Sequence, residues 1–330
     1  MNTIVCFGEI LLRLSAPAGE LLLQSPVVDT CIGGAEANVA VSLAHFGHDA
    51  RVVSALPDNA LGHAARNALR AQGVDTRGVQ FQPGRMGLYF LTPGAVLRPS
   101  EIIYDRAASV FAQNAAYDWP ALLAGASWLH VSGITPAVGP QPAAAVLAAV
   151  RAARTAGVRV SFDGNYRASL WALQGTDGAD VLKELLSHAD LAFADQRDIA
   201  LVLGRPELGK DRAAAMQAAF AAFPQLQRVA ATIRTQHSVD HHDIKATLYT
   251  RGGMFDTGSY ALPGIVERIG TGDAFASGVL HGLESGWDDA AALDFGVAAA
   301  ALKHSLAGDF LAASEAQVKA LAAGGLDVRR

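Results

Sequence analysis

The amino-acid sequence predicts an α/β fold: a mostly parallel sheet covered by helices on both faces, with a small separate β-sheet attached. Three observations carry this expectation. Short β-branched or apolar runs alternate with helical stretches along most of the chain. The helical stretches are long enough to act as crossover connections, which join parallel strands. Two segments, 11–32 and 86–111, break the alternation with strand-like pieces and no helix between them.

Taken in order, strands are expected at 3–7, 51–55, 127–131, 158–163, 191–193, 228–232 and 246–250. Helices are expected at 35–46, 61–71, 140–156, 181–188, 197–203, 212–223, 272–284 and 289–304. Gly47, Gly73 and Gly157 each follow a helical stretch and suit the left-handed position beyond a helix end. In the interrupting segments, Leu21-Leu22-Leu23, 87–92 and 101–104 are read as strands of a small antiparallel sheet projecting from the main layer, a lid. No long linker, low-complexity tract or internal repeat is visible. Residues 1–330 are therefore read as one domain with lid segments at about 11–32 and 86–111 inserted in it.

Composition narrows the function classes. Of the 330 residues, 51% are apolar and 17% charged, which argues for a packed core and against disorder. No apolar run reaches the roughly 20 residues of a membrane span. The first residues read as a strand and not as a signal peptide. Two cysteines, Cys6 and Cys31, exclude a disulfide scaffold and fit a reducing cytoplasm. A net charge of -5 argues against general nucleic-acid binding.

The strongest chemical signal is Gly270-Thr271-Gly272-Asp273 at the start of a helix. Glycines let backbone N–H groups turn inward, and the helix start adds positive potential, which suits a phosphoryl group. Asp273, in the first turn, is placed to accept the proton of an attacking hydroxyl. An acidic residue favourable to the helix dipole is the plainer explanation of the same pattern. A dinucleotide fingerprint would need glycine at 275, where Phe275 stands. The stretch 204–210 imitates a Walker A loop, but Asp211 occupies the Ser/Thr position.

A second glycine site, Gly33-Gly34 with Asn38, opens a helix in the N-terminal third. Paired glycines allow close approach of a ligand, and Asn38 offers a donor and an acceptor. With both sites in view, the sequence resembles the PfkB (ribokinase-like) family of carbohydrate kinases. Gly33-Gly34 and Asn38 match its N-terminal motif, and Gly270-Thr271-Gly272-Asp273-Ala274-Phe275 matches its C-terminal one. The resemblance implies a three-layer α/β/α ribokinase-like core with a β-sheet lid, and ATP and Mg²⁺ as cofactors. It makes Asp273 the catalytic base and Gly270, Thr271 and Gly272 the anion hole, with a monovalent cation as a further candidate cofactor to which no residues are assigned.

Within that family the chain is most similar to 2-keto-3-deoxygluconate kinases. The matching residues are in Gly87-Leu88-Tyr89-Phe90, Tyr104-Asp105-Arg106 and Asp163-Gly164-Asn165-Tyr166-Arg167. By resemblance, Gly33, Gly34, Asn38, Tyr89, Tyr104, Arg106, Arg167 and Asp309 are substrate-binding. Asn165, Arg234, Gly270 and Gly272 are ATP-binding. Arginine forks suit a carboxylate, whereas Tyr89 and Tyr104 could also be strand residues packing across the lid. Arg13, where many sugar kinases of the family carry Asp, is expected to favour an anionic substrate.

Besides Glu267, which replaces the Asp common before the second motif, the chain departs from the family in two further places. Asp195 and Asp198 stand in place of Asn-x-x-Glu; they share a helix face and could organise hydrated Mg²⁺, or act as a helix cap. The usual glycine-rich nucleotide turn is replaced by 232–242, read as a polar loop containing His237, His241 and His242. The implied activity is ATP-dependent phosphorylation of 2-keto-3-deoxygluconate at its terminal hydroxyl. Fructokinase or another sugar-acid kinase is the alternative in the same family, and a non-catalytic sugar-acid sensor the alternative in a different class. A homodimer joined through the lid is expected.

Overall fold

A computed structural model describes residues 3–324. Fourteen strands are present among them: β1 (Thr3–Phe7), β2 (Leu11–Ser15), β3 (Asp29–Gly33), β4 (Asp49–Pro57), β5 (Asp75–Gln82), β6 (Gly87–Thr92), β7 (Glu101–Asp105), β8 (Ala126–Ser132), β9 (Arg159–Asp163), β10 (Leu191–Phe193), β11 (Arg228–Gln236), β12 (His241–Thr250), β13 (Met254–Asp256) and β14 (Tyr260–Pro263). The large sheet has the order β13-β12-β11-β10-β9-β8-β1-β4-β5, with β14 also paired to β12. From β11 to β5 every pairing is parallel, and β12 turns back antiparallel to β11.

The core lies in two layers on either side of this sheet. In β1, Val5 and Phe7 join the cluster beneath the helices Pro140–Thr155, Ala179–Ser187, Gln196–Leu203 and Arg212–Ala222. Ile4 and Cys6, the alternate residues, join the opposite cluster with the helices Ala35–His45, Ala60–Ala71, Thr271–Glu284 and Asp289–Lys303. The two-residue period of a strand thus feeds both cores, which is why β1 is buried along its whole length. Strand order reverses at β1, since the chain leaves it for β4 on one side and returns to β8 on the other. In open α/β sheets such a switch point marks the ligand crevice at the carboxyl ends of the strands.

The second sheet has four strands in the order β3-β2-β6-β7. Its outer pairings are antiparallel and its central β2–β6 pairing is parallel. Leu21-Leu22-Leu23, expected as a strand, instead forms turns. Leu21 and Leu23 are exposed and Leu23 has φ +62°. The segment 232–242, expected as a loop, is a β-hairpin: β11 continues to Gln236, which pairs with His242. No helix is long and apolar enough to cross a membrane among the described residues.

Candidate active site

Gly270 caps the helix Thr271–Glu284 with φ +79°, a left-handed conformation. A Cβ there would lie 2.1 Å from the Asp309 carbonyl oxygen, so both backbone shape and space call for glycine. The turn is held from below by Glu267, whose Oε1 accepts from the N–H of Arg268 (2.9 Å) and of Ile269 (3.1 Å). The Thr271 hydroxyl donates to the Arg268 carbonyl at 3.0 Å. As at any helix start, the first amides have no partner within the helix and are available to an anion.

Asp273 follows in the first turn of the helix and accepts a 2.7 Å hydrogen bond from Asn38 Nδ2. The two glycine motifs are therefore joined directly, across 235 residues of sequence. Asn38 sits on the helix Ala35–His45, which starts at Gly34 with φ +144°. A Cβ on Gly34 would stand 2.2 Å from the Glu9 carbonyl oxygen. Glu36, in the same first turn, is buried and accepts from the hydroxyls of Ser132 (2.6 Å) and Thr135 (2.8 Å), which pins this helix to the end of β8.

Burial pushes the Asp273 carboxyl up to about 8; the Asn38 hydrogen bond opposes this, and the charges of Asp163, Glu36 and Asp309 add to it. Burial likewise raises Asp163 to about 7, opposed by Arg167 and assisted by Asp198. Two consequences are open to measurement. On the sequence-based expectation that Asp273 is the general base, it acts only when ionised, and kcat/KM should rise about tenfold per pH unit and level near pH 8. The sign for stability is opposite. An unfolded Asp titrates near 3.9, so the fold binds more protons than the unfolded chain up to about pH 8. The ligand-free protein should melt at a lower temperature at pH 8.5 than at pH 6, less so in Asp273→Asn; a higher melting point at pH 8.5 would contradict these assignments.

Two clefts meet at this turn. One, of about 320 Å³, is lined by Gly34, Asn38, Tyr89, Tyr104, Arg167 and Asp273 among others. The second, of about 610 Å³, opens beside the ends of β10 and β11 and includes Asp195, Asp198 and Arg234. Asp163, Asn165, Thr271 and Gly272 line both. A group passing from one cleft to the other would pass the 270–272 amides beside the Asp273 carboxylate.

Tyr89 and Tyr104 are cross-strand partners and both line the first cleft, so lid packing and access to a ligand coexist. The Tyr89 hydroxyl donates to Asp309 Oδ2 at 2.7 Å. Gly33 does not line the cleft; a Cβ there would lie 1.8 Å from Asp309 Oδ2, so this glycine makes room for that carboxylate. Arg106 is buried behind the wall, its Nε donating to Glu9 at 2.7 Å and its guanidinium lying over Tyr104, with Nη1 left without a partner. The expectation for Arg13 is overturned. It is buried and bound to Glu267 (2.9 Å) and Asp309 (2.8 Å), so its charge is neutralised inside the protein.

The acidic pair divides. Asp195 caps the helix Gln196–Leu203 and is bonded to Arg197, the capping alternative weighed from its sequence position. Asp198 returns a bond to the Asp195 N–H at 2.8 Å, and burial raises it to about 6. A further acid that lines the same cleft and feels the Asp198 charge is Asp163, at the carboxyl end of β9, to which the sequence assigned no role. Strand-end position was the available signal. Asn165 holds φ +36°, a left-handed backbone that asparagine tolerates better than most residues.

Arg268 was also missed. It lines the first cleft, and burial and the neighbouring Arg234 both lower its pKa. Among the described residues neither Arg234, Arg268 nor Arg167 has a carboxylate within ion-pair distance. On the outer side of the hairpin, His237 Nε2 lies 2.7 Å from Asp243 and His237 packs against His241, an acidic partner that sequence position did not reveal.

A parallel α/β core with a β-sheet lid, and a carboxylate beside a helix-start anion site where two clefts join, define a phosphotransferase that acts on a hydroxyl. Comparison with known proteins agrees: the pfkB family carbohydrate kinase model matches residues 1–312, and the chain belongs to that family. It is 32% identical to a 2-dehydro-3-deoxygalactonokinase of Haloferax volcanii, over 98% of this chain and 97% of that one. The solved 2-dehydro-3-deoxygluconokinase of Thermotoga maritima superposes with a TM-score of 0.91 at 36% identity, covering 98% of this chain and 100% of that one. A PfkB family carbohydrate kinase from Listeria grayi gives a TM-score of 0.91 at 37% identity, covering 97% and 99%. The protein is a sugar kinase, and kinases of this family bind ATP with Mg²⁺.

Proposed function

We propose that the protein transfers the γ-phosphoryl group of ATP to the terminal hydroxyl of 2-keto-3-deoxygluconate, giving the 6-phosphate. The observation that carries the reading is the Asn38–Asp273 hydrogen bond at the junction of the two clefts. It supports a base held in place beside the 270–272 amides. In this reading the sugar acid occupies the smaller cleft under Tyr89 and Tyr104, and ATP the larger one, with Asn165 and Arg234 along its phosphates. Asp273 takes the hydroxyl proton as the oxygen attacks, and the amides of Gly270, Thr271 and Gly272 stabilise charge on the transferring phosphoryl.

Asp198 and Asp163 fit a hydrated Mg²⁺: both are half-buried carboxylates with raised pKa values lining the nucleotide cleft, and a divalent cation would relieve that cost. Asp195, spent on capping, takes no part in this reading. The metal would neutralise phosphate charge during transfer. Residues 1–330 act in this account as one kinase domain with the four-stranded sheet as lid.

Preference for an acid rests on Arg167 and Arg268, cations without carboxylate partners in the sugar cleft, and on the free Nη1 of Arg106 close behind it. A neutral hexose would leave the charges of Arg167 and Arg268 without an anionic partner. The relatives named for 2-dehydro-3-deoxygalactonate and 2-dehydro-3-deoxygluconate favour this substrate class over fructose. The test is ADP release across 2-keto-3-deoxygluconate, its C4 epimer, gluconate, fructose and ribose. The two keto-deoxy acids should exceed fructose by about 100-fold in kcat/KM, the worth of a charge-assisted pair. Arg167→Ala should erase most of that preference by raising KM for the acids. Fructose as the best substrate would overturn the assignment.

The lid also supports the expected homodimer, since it exposes Ile102, Ile103, Leu21 and Leu23. Sedimentation should give twice the mass of 34.3 kDa, and Ile103→Arg should give the monomer; a wild-type monomer at micromolar concentration would contradict it.

A further inference from the structure

The helix Asp289–Lys303 ends on a lysine whose side chain is 0% exposed. Lysine is almost never fully buried unless paired, because its charge loses its hydration. Lys303 has no such pair. Among the described residues its ammonium makes no salt bridge; of the three carboxylates facing it, Glu267 and Asp309 are held by Arg13 at 2.9 and 2.8 Å, and Asp273 accepts from Asn38 at 2.7 Å. Its Nζ donates to the Leu306 carbonyl at 2.9 Å. Its Cε would lie 3.4 Å from a methyl group placed on Gly270, so the charged end sits directly behind the anion-site turn. A buried ion replaced by an apolar side chain of similar volume commonly leaves a protein as stable or more so. Stability therefore gives no reason for a charge at this place.

We infer that Lys303 is a positioning residue of the phosphoryl site, a fixed positive charge behind the Gly270 turn that stabilises negative charge gathering on the other side of it. The inference rests on the kinase reading of the same site. Lys303 does not line either cleft and need not touch substrate; it acts through the turn and through the Leu306–Asp309 segment, whose Asp309 carbonyl packs against Gly270. The groups facing it are Glu267, Asp309 and Asp273, which favour its charged form, and Arg13, which opposes it; burial lowers its pKa. A polyanion arriving at the turn favours the ammonium, and the ammonium by reciprocity favours the polyanion.

Two variants separate charge from packing. Lys303→Met keeps the volume and removes the charge. Lys303→Gln removes the charge and retains an N–H donor for the Leu306 carbonyl. Both are expected to keep the wild-type melting temperature within a few degrees and to lower kcat about 10- to 100-fold, less than loss of a direct donor to the transferring group. KM for the sugar acid should change by about threefold at most. The pH at which kcat/KM levels should move upward from about 8, because Asp273 loses a neighbouring cation. In Lys303→Ala, added NH₄⁺ or K⁺, which match the size of the lost ammonium, should restore part of the rate, whereas the wild type should be indifferent to them. Wild-type kcat and an unmoved pH profile in Lys303→Gln would overturn the inference. So would loss of the fold in both Met and Gln variants, which would make Lys303 a structural element. A wild-type enzyme that releases no ADP with any sugar acid would instead defeat the kinase reading itself.

Discussion

Asp273→Asn is expected to lower kcat by about 10³-fold, within the range that a positioned general base contributes. The substitution keeps the size of the side chain and an oxygen that can still accept from Asn38. The turn before it is held by Glu267 and by the Asp309 backbone, neither of which involves the Asp273 side chain. ADP affinity should therefore stay within about threefold, and the fold should be unchanged. Residual turnover should also lose its rise toward pH 8, since the group that titrates there is gone. Near-normal kcat in this variant, measured in a single turnover to exclude product release, would remove Asp273 from the chemistry.

Gly270→Ala should be nearly as damaging, for a different reason. A non-glycine residue at φ +79° costs about 1–2 kcal/mol. The new methyl group would in addition stand 2.1 Å from the Asp309 carbonyl oxygen, so the turn must open. Opening it misdirects the amides and displaces Asp309, which carries Tyr89 and Arg13. A fall of several degrees in melting temperature and about 100-fold or more in kcat is expected. Gly272→Ala is the control: nothing lies within 4 Å of a Cβ there, and the position lines both clefts. It should keep its melting temperature and lose activity by crowding the transferring group. Equal melting temperatures for the two variants would contradict this account of the turn.

Much of the central sheet was legible because β1, β9 and β10 are short runs buried on both faces, and such runs stand out from their helical neighbours. Edge strands were not. β5 (Asp75–Gln82) carries Asp75, Arg77 and two glutamines, half-buried, and shows neither a continuous apolar run nor strict alternation. Leu21-Leu22-Leu23 misled in the opposite direction: hydrophobic residues exposed on a turn imitate a strand. Within the site, the positions with a local signature were found from sequence, because glycines before a helix with an acid in its first turn form one contiguous pattern. Asp163 and Lys303 have no such pattern and only the folded arrangement brings them to the turn, while Arg268 adjoins the turn in sequence but carries no signature that shows it facing the cleft. Arg13 shows the limit most clearly. Whether its cation faces a ligand or is neutralised depends on Glu267 and Asp309, which lie more than 250 residues away.

Phosphorus NMR of one reaction mixture addresses the central claim most directly: protein, ATP, Mg²⁺ and 2-keto-3-deoxygluconate. A new phosphomonoester resonance should grow in equal amount with ADP, with proton coupling that places the phosphate on the C6 oxygen. ADP accompanied only by inorganic phosphate, or ATP left intact, would contradict a site built to deliver the γ-phosphoryl group to a sugar-acid hydroxyl.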